Sequence, residues 1–90
     1  MEFQSEKNRI FWKDGEGKLL AEVTFPGCGE GVVEIDHTFV DGSLRGQGVA
    51  SELMLAAAEY LRGQGKKVRP VCSYAVRWFQ NHPDYGDLLS

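Results

Sequence analysis

The chain has 90 residues, 42% hydrophobic and 26% charged, and its 10 Lys and Arg against 13 Asp and Glu leave a formal net charge of -3. That composition excludes a disordered chain. With no basic run longer than Lys66-Lys67, it also argues against nucleic acid as a partner, because a phosphate polymer is held through many clustered cations. No leader pattern and no apolar run of about 18 residues is read, so the cytosol is the expected compartment and a membrane is not an expected partner. Residues 1–90 are expected to form one domain. A domain this short buries only roughly 60 to 65% of its unfolded surface, so a ligand that binds the folded form should add visibly to its stability.

In chain order, residues 9–13 (Arg-Ile-Phe-Trp-Lys) are rich in strand formers, Asp14-Gly15-Glu16-Gly17 reads as a hairpin turn, and residues 18–25 form the return strand. A glycine-rich loop over residues 26–31 leads to a third strand over residues 32–40, completing an antiparallel meander. Alternation puts Val33, Ile35, His37 and Phe39 on one face and Glu34, Asp36 and Thr38 on the other, unless a bulge interrupts the count. Glu34 and Asp36 would lie about 7 Å apart; without a sugar-lined cleft, a solvated face is the better reading than a glycosidase pair.

From Val49 to about Gln64 the apolar positions Ala50, Leu53, Met54, Ala57 and Leu61 recur at helical spacing, and Gly63 and Gly65 punctuate the end. Residues 67–74 read as a further strand, parallel to the third through a right-handed crossover, and residues 75–81 as a short helix stopped before Pro83. Cys28 and Cys72 lack metal-ligand spacing and the two histidines form no His-x-x-x-His pair. Two reduced thiols and no structural zinc are therefore expected.

Arg45-Gly46-Gln47-Gly48-Val49-Ala50 places two glycines and an arginine where a loop enters the helix. The first N–H groups of a helix have no intrahelical partner and stand at the positive end of its dipole, so the turn is suited to phosphate. Glycine adds access, since it adopts positive φ and lets a ligand touch the backbone. No Gly-Lys-Ser/Thr follows Gly48, as a P-loop requires, and Ser51 stands where a dinucleotide fingerprint wants its third glycine.

The pattern that does match is Arg/Gln-x-x-Gly-x-Gly/Ala, supplied as Arg45, Gly48 and Ala50 between a strand and a helix. With His37-Thr38-Phe39-Val40, Pro70-Val71-Cys72-Ser73-Tyr74-Ala75 and Asn81-His82-Pro83-Asp84-Tyr85, it resembles the compact, single-domain GCN5-related N-acetyltransferases over roughly residues 9 to 88. The resemblance implies an α/β fold in which an antiparallel meander gains one parallel strand through a helix crossover, followed by a short C-terminal helix. It also implies acetyl-CoA or coenzyme A as cofactor, entering between two splayed parallel strands, and an amine as acceptor. Pro70, which donates no ladder hydrogen bond, fits a strand partly unpaired or an ordinary edge strand.

By this resemblance Val40, Arg45, Gly46, Gln47, Gly48, Val49, Ala50 and Ser51 bind cofactor, and Asn81, His82 and Tyr85 close its far end. Lys66, Arg69 and Arg77 are candidates for the 3′-phosphate. His37 is a candidate base, or a hydrogen-bonded residue of an apolar face. Cys72 is a nucleophile or a buried tunnel wall, and Tyr74, expected on the same strand face as Cys72, is a proton donor or an aromatic wall. A non-catalytic binder of coenzyme A is the alternative function. The helices and strands that usually shape the acceptor pocket have no counterpart in these residues, so an open cleft suited to a protein or peptide lysine is expected.

Overall fold

Arg9 to Thr24 alternates strongly enough to fold as a hairpin, β2 (Arg9–Lys13) and β3 (Leu19–Thr24). The Asp14 carboxylate holds its turn by accepting from the N–H groups of Glu16 and Lys18, both at 2.9 Å. A computed structural model describes residues 2–90. It adds a strand not expected from sequence, β1 (Gln4–Glu6), whose three exposed polar residues pair antiparallel with β2.

The expected third strand is two strands. β5 (Val32–Ile35) and β6 (His37–Val40) separate at Asp36 and enter different sheets. The Asp36 carboxylate accepts from the Thr24 hydroxyl (2.5 Å) and its N–H donates to the Thr24 carbonyl (3.3 Å), so it faces β3 outside the core. One sheet runs β1-β2-β3-β6, all antiparallel; the other runs β4-β5-β7, with β4 (Gly27–Gly29) antiparallel to β5 and β7 (Lys67–Pro70) parallel to it. Beyond the Ile35–Pro70 pair the two chains diverge. β6 joins β3, the residues after β7 enter a helix, and the second edge of β6 has no strand partner among the described residues.

Helix α1 (Val49–Gly63) buries Val49, Leu53, Met54, Ala57, Ala58 and Leu61, the stripe its periodicity predicts. These side chains meet Ile10, Ala21, Val23 and Phe25 from one sheet, Val33, Ile35 and Val68 from the other, and Trp78 and Phe79 from helix α2 (Ser73–Asn81) in one continuous core. Each fully buried Leu or Met contributes roughly 1.5–3 kcal/mol, which keeps α1 astride both sheets. Its end is closed by Gly65 at φ 70°, with Lys66 N–H on the Leu61 carbonyl (3.0 Å) and Gly65 N–H on that of Arg62 (3.1 Å).

Phe11 lies on the opposite side of the first sheet, across from Glu22, and is still only 3% exposed. The Arg9 guanidinium covers its ring at 3.9 Å and Lys13 stands at 5.4 Å, so two charged side chains roof an aromatic residue outside the core.

Candidate functional site

The chain leaves β6 at Val40 and turns at once. The Asp41 carboxylate accepts from the Ser43 hydroxyl (2.6 Å) and N–H (3.1 Å), fixing a single 3-10 turn over Gly42–Leu44. Those two bonds, with Lys18 nearby, hold the Asp41 carboxyl below its ordinary value of 3.8. Gly46 and Gly48 follow at φ 81° and 73°, a left-handed conformation costing roughly 1–2 kcal/mol to a residue with a Cβ. A Cβ on either would meet no atom within 4 Å, so strain and access, not crowding, account for glycine here.

The Glu52 N–H makes a helical bond to the Gly48 carbonyl at 3.1 Å, and the N–H groups of Val49, Ala50 and Ser51 precede that ladder. Val49, Ala50 and Ser51 line a cavity of about 230 Å³ together with Val40, Leu44, Arg45, Gly46, Gly48 and Tyr74. Arg45 is exposed and has no ion-pair partner among the described residues. A cation, two glycines and unladdered amides thus share one opening. Gln47 departs from expectation. Its N–H is directed to the Leu44 carbonyl (3.3 Å) and its side chain to that of Ser43 (3.4 Å), so it closes the loop and does not line the cavity.

Cys72 is not a strand residue. It caps α2, its sulfur accepting from Ala75 N–H at 3.4 Å, and it stands 3.4 Å from the Thr38 hydroxyl across the splayed strands. Tyr74 therefore sits in the first turn of α2, and the shared strand face expected for it and Cys72 does not exist. It reaches the loop cavity from the helix instead. Burial pushes its phenol above the ordinary 10.0, partly offset by the nearby Ser51 hydroxyl.

His37 is corrected as well. The break at Asp36 reverses the alternation, so His37 and Phe39 are exposed while Thr38 and Val40 turn inward. No hydrogen bond joins His37 to Cys72 among the described residues. Thr38 is the residue that the sequence reading missed; only the position of the break could have revealed it.

The remaining candidates form a clasp away from the cavity. His82 stacks on Trp78 at 4.0 Å and 14°, with its Nδ1 2.7 Å from the Trp78 carbonyl. Tyr85 packs 5.4 Å from Trp78 and donates its hydroxyl to Glu59 (2.5 Å), while Asn81 ends α2 exposed. Ser51 links clasp and cavity by accepting from Trp78 Nε1 at 3.2 Å. Lys66 lies beyond the far end of α1, about 22 Å away at 1.5 Å per residue, and Arg69 pairs with Glu34 at 3.6 Å. A larger cavity of about 370 Å³ also lies at that far end and includes none of the loop residues. The smaller cavity differs from it in joining two positive-φ glycines to the start of a helix.

The profile of the GCN5-related N-acetyl-transferase family matches residues 9–88. The chain belongs to this family of acyltransferase enzymes. Among solved structures, a GCN5-like N-acetyltransferase from Staphylococcus aureus is 31% identical with a TM-score of 0.81, the match covering 99% of this chain and 87% of that one. An Escherichia coli GNAT-family N-acetyltransferase in complex with CoA gives 23% identity and a TM-score of 0.64 over 87% of this chain and 44% of its own. Ard1 from Thermoplasma volcanium gives 21% and 0.64 over 83% and 53%. At those identities the latter two speak for the fold, and the chain spans about half of their length.

Proposed function

We propose that the protein transfers an acetyl group from acetyl-CoA to an amine, a lysine of a protein or peptide being the acceptor favoured by the open surface. The observation carrying this reading is the loop at Gly46 and Gly48, which brings three residues with unladdered amides, and an arginine without an ion-pair partner among the described residues, to the edge of one cavity. The cavity suits a diphosphate, and the strand edge left free by β6 offers backbone groups to the amides of a pantetheine arm.

Bound acetyl-CoA would supply the thioester: the amine nitrogen bonds to the acyl carbon, the carbon–sulfur electron pair goes to sulfur, one proton leaves nitrogen and one reaches sulfur. The Val49, Ala50 and Ser51 amides and Arg45 hold the anion. Tyr74 lines the same cavity from the first turn of α2 and would stand as an aromatic wall beside the diphosphate, because the pantetheine arm carries the sulfur well beyond the reach of its hydroxyl. His37 would reach an acceptor amine only from the solvent side of β6, directly or through water.

Cys72 already serves as a helix cap, which favours direct transfer over an acetyl-cysteine route. Cys72→Ala should keep turnover and lose about 0.5–2 kcal/mol of stability with the cap, whereas abolished turnover in a folded Cys72→Ala would establish the covalent route. The exposure of His37 favours a second reading, a binder of coenzyme A without catalysis. Mass spectrometry of lysine peptides incubated with protein and acetyl-CoA separates them: time-dependent addition of one acetyl group above the protein-free rate supports transfer, and tight binding without it supports the binder.

A further inference from the structure

We infer that the cavity at the C-terminal end of α1 is a second ligand site, one that takes a small molecule with an apolar body and a carboxylate. It measures about 370 Å³, within the range of small-molecule sites. Phe25, Val32, Val33, Tyr60 and Leu61 form an apolar wall, Asn8, Gln64, Gly27 and Gly29 complete the lining, and its charged side chains are Lys7 and Lys66. Neither lysine has an ion-pair partner among the described residues, and no carboxylate lines the cavity.

The charge arrangement has a competing explanation, since a cation after a helix complements the negative end of its dipole. That accounts for Lys66 alone. The last carbonyls of α1 are already answered by the N–H groups of Gln64, Gly65 and Lys66 at 3.0–3.2 Å, and Lys7 comes from a separate element, the turn between β1 and β2. The neighbouring Asn8 carbonyl anchors that turn by accepting from Phe25 N–H at 2.8 Å, and Lys7 lines the same cavity as Phe25 and Tyr60. Phe25 and Tyr60, 6.0 Å apart and tilted by 41°, offer an angled surface for a ring or a branched chain. Two cations that share the cavity with such a wall, and have no ion-pair partner among the described residues, match an apolar carboxylate better than a neutral or cationic compound.

The test is a titration of the full chain by amide-resolved NMR with phenylacetate, its neutral isostere phenylacetamide, and phenethylammonium. Saturable shifts confined to Gly27, Gly29, Val32, Gln64 and Lys66, at least tenfold tighter for phenylacetate than for the other two, are expected. Lys7→Met with Lys66→Met should erase that preference while the fold's remaining amide spectrum is retained. Saturating coenzyme A should not displace phenylacetate, since the loop at Gly48 lies at the opposite end of α1. Equal response to all three probes, an unchanged preference in the double variant, or displacement by coenzyme A would each overturn the assignment.

Discussion

The two places where α1 meets its neighbours treat polar groups in opposite ways. Along its C-terminal half Glu59 and Arg62, and near its start the Ser51 hydroxyl, are tied to the C-terminal segment. Arg62 pairs with Asp87 at 2.7 Å and lies 4.6 Å over the Tyr85 ring, Tyr85 donates to Glu59, and Trp78 donates to Ser51. At its N-terminus, amides and a guanidinium stand without such partners. Closed hydrogen bonding marks the clasp as structure, and donors left unanswered among the described residues set the loop apart as the proposed ligand site.

The contrast breaks first if the clasp proves dispensable. Trp78→Ala removes a side chain that is 3% exposed and should cost about 3–5 kcal/mol. Thermal melts should fall by well over 10 °C at about 4–8 °C per kcal/mol for a domain of this size, and a shift of only a few degrees would contradict the assignment. Trp78→Phe keeps an aromatic ring and loses the bond to Ser51, so roughly 1 kcal/mol is expected. The loop should respond through binding instead. Gly48→Val puts a branched side chain at positive φ in front of the amides, and calorimetry should register at least a tenfold loss of coenzyme A affinity from the loss of one or more charge-assisted contacts at about 1.5–3 kcal/mol each.

Arg45→Met is a milder version of the same comparison. It should weaken coenzyme A roughly fivefold or more and flatten the salt dependence of binding, with a melting temperature unchanged because Arg45 supports no other residue.

The smallest effects are in pH. Hydrogen bonding to Ser43 and to Arg62 holds the Asp41 and Asp87 carboxyls below 3.8 in the folded chain. Their stabilisation is therefore complete above 3.8 and is lost as pH falls from there through the folded values. Tyr85 is raised above 10.0 by its bond to Glu59; its share is complete below pH 10 and is lost as pH rises through the folded value. Asp41→Asn should remove only the acid-side share, and Tyr85→Phe only the alkaline one, in melts recorded across pH.

Much of this was legible in the residues, for identifiable reasons. α1 has a long apolar stripe of unambiguous period, and glycine at 46 and 48 has few purposes beyond positive φ. β1 was illegible because Gln4–Glu6 buries nothing and is held by edge pairing and one Glu6–Arg9 ion pair. The break at Asp36 depends on Thr24, twelve residues earlier, so alternation counted through it and placed His37 on the wrong side. Residues 71–74 read as extended because Val71, Cys72 and Tyr74 suit a strand, while the helical spacing of Ala75, Trp78 and Phe79 shows only when Cys72 is seen as a cap. Thr38, the partner of Cys72, was lost with the same miscount.

Hydrogen exchange at single amides tests the central claim most directly. With coenzyme A absent, the Val49, Ala50 and Ser51 amides should exchange fast while those of Leu53 and Met54 are protected; at saturating coenzyme A all three should slow by an order of magnitude or more. Unchanged exchange at these three positions, with coenzyme A present in large excess, would contradict the account.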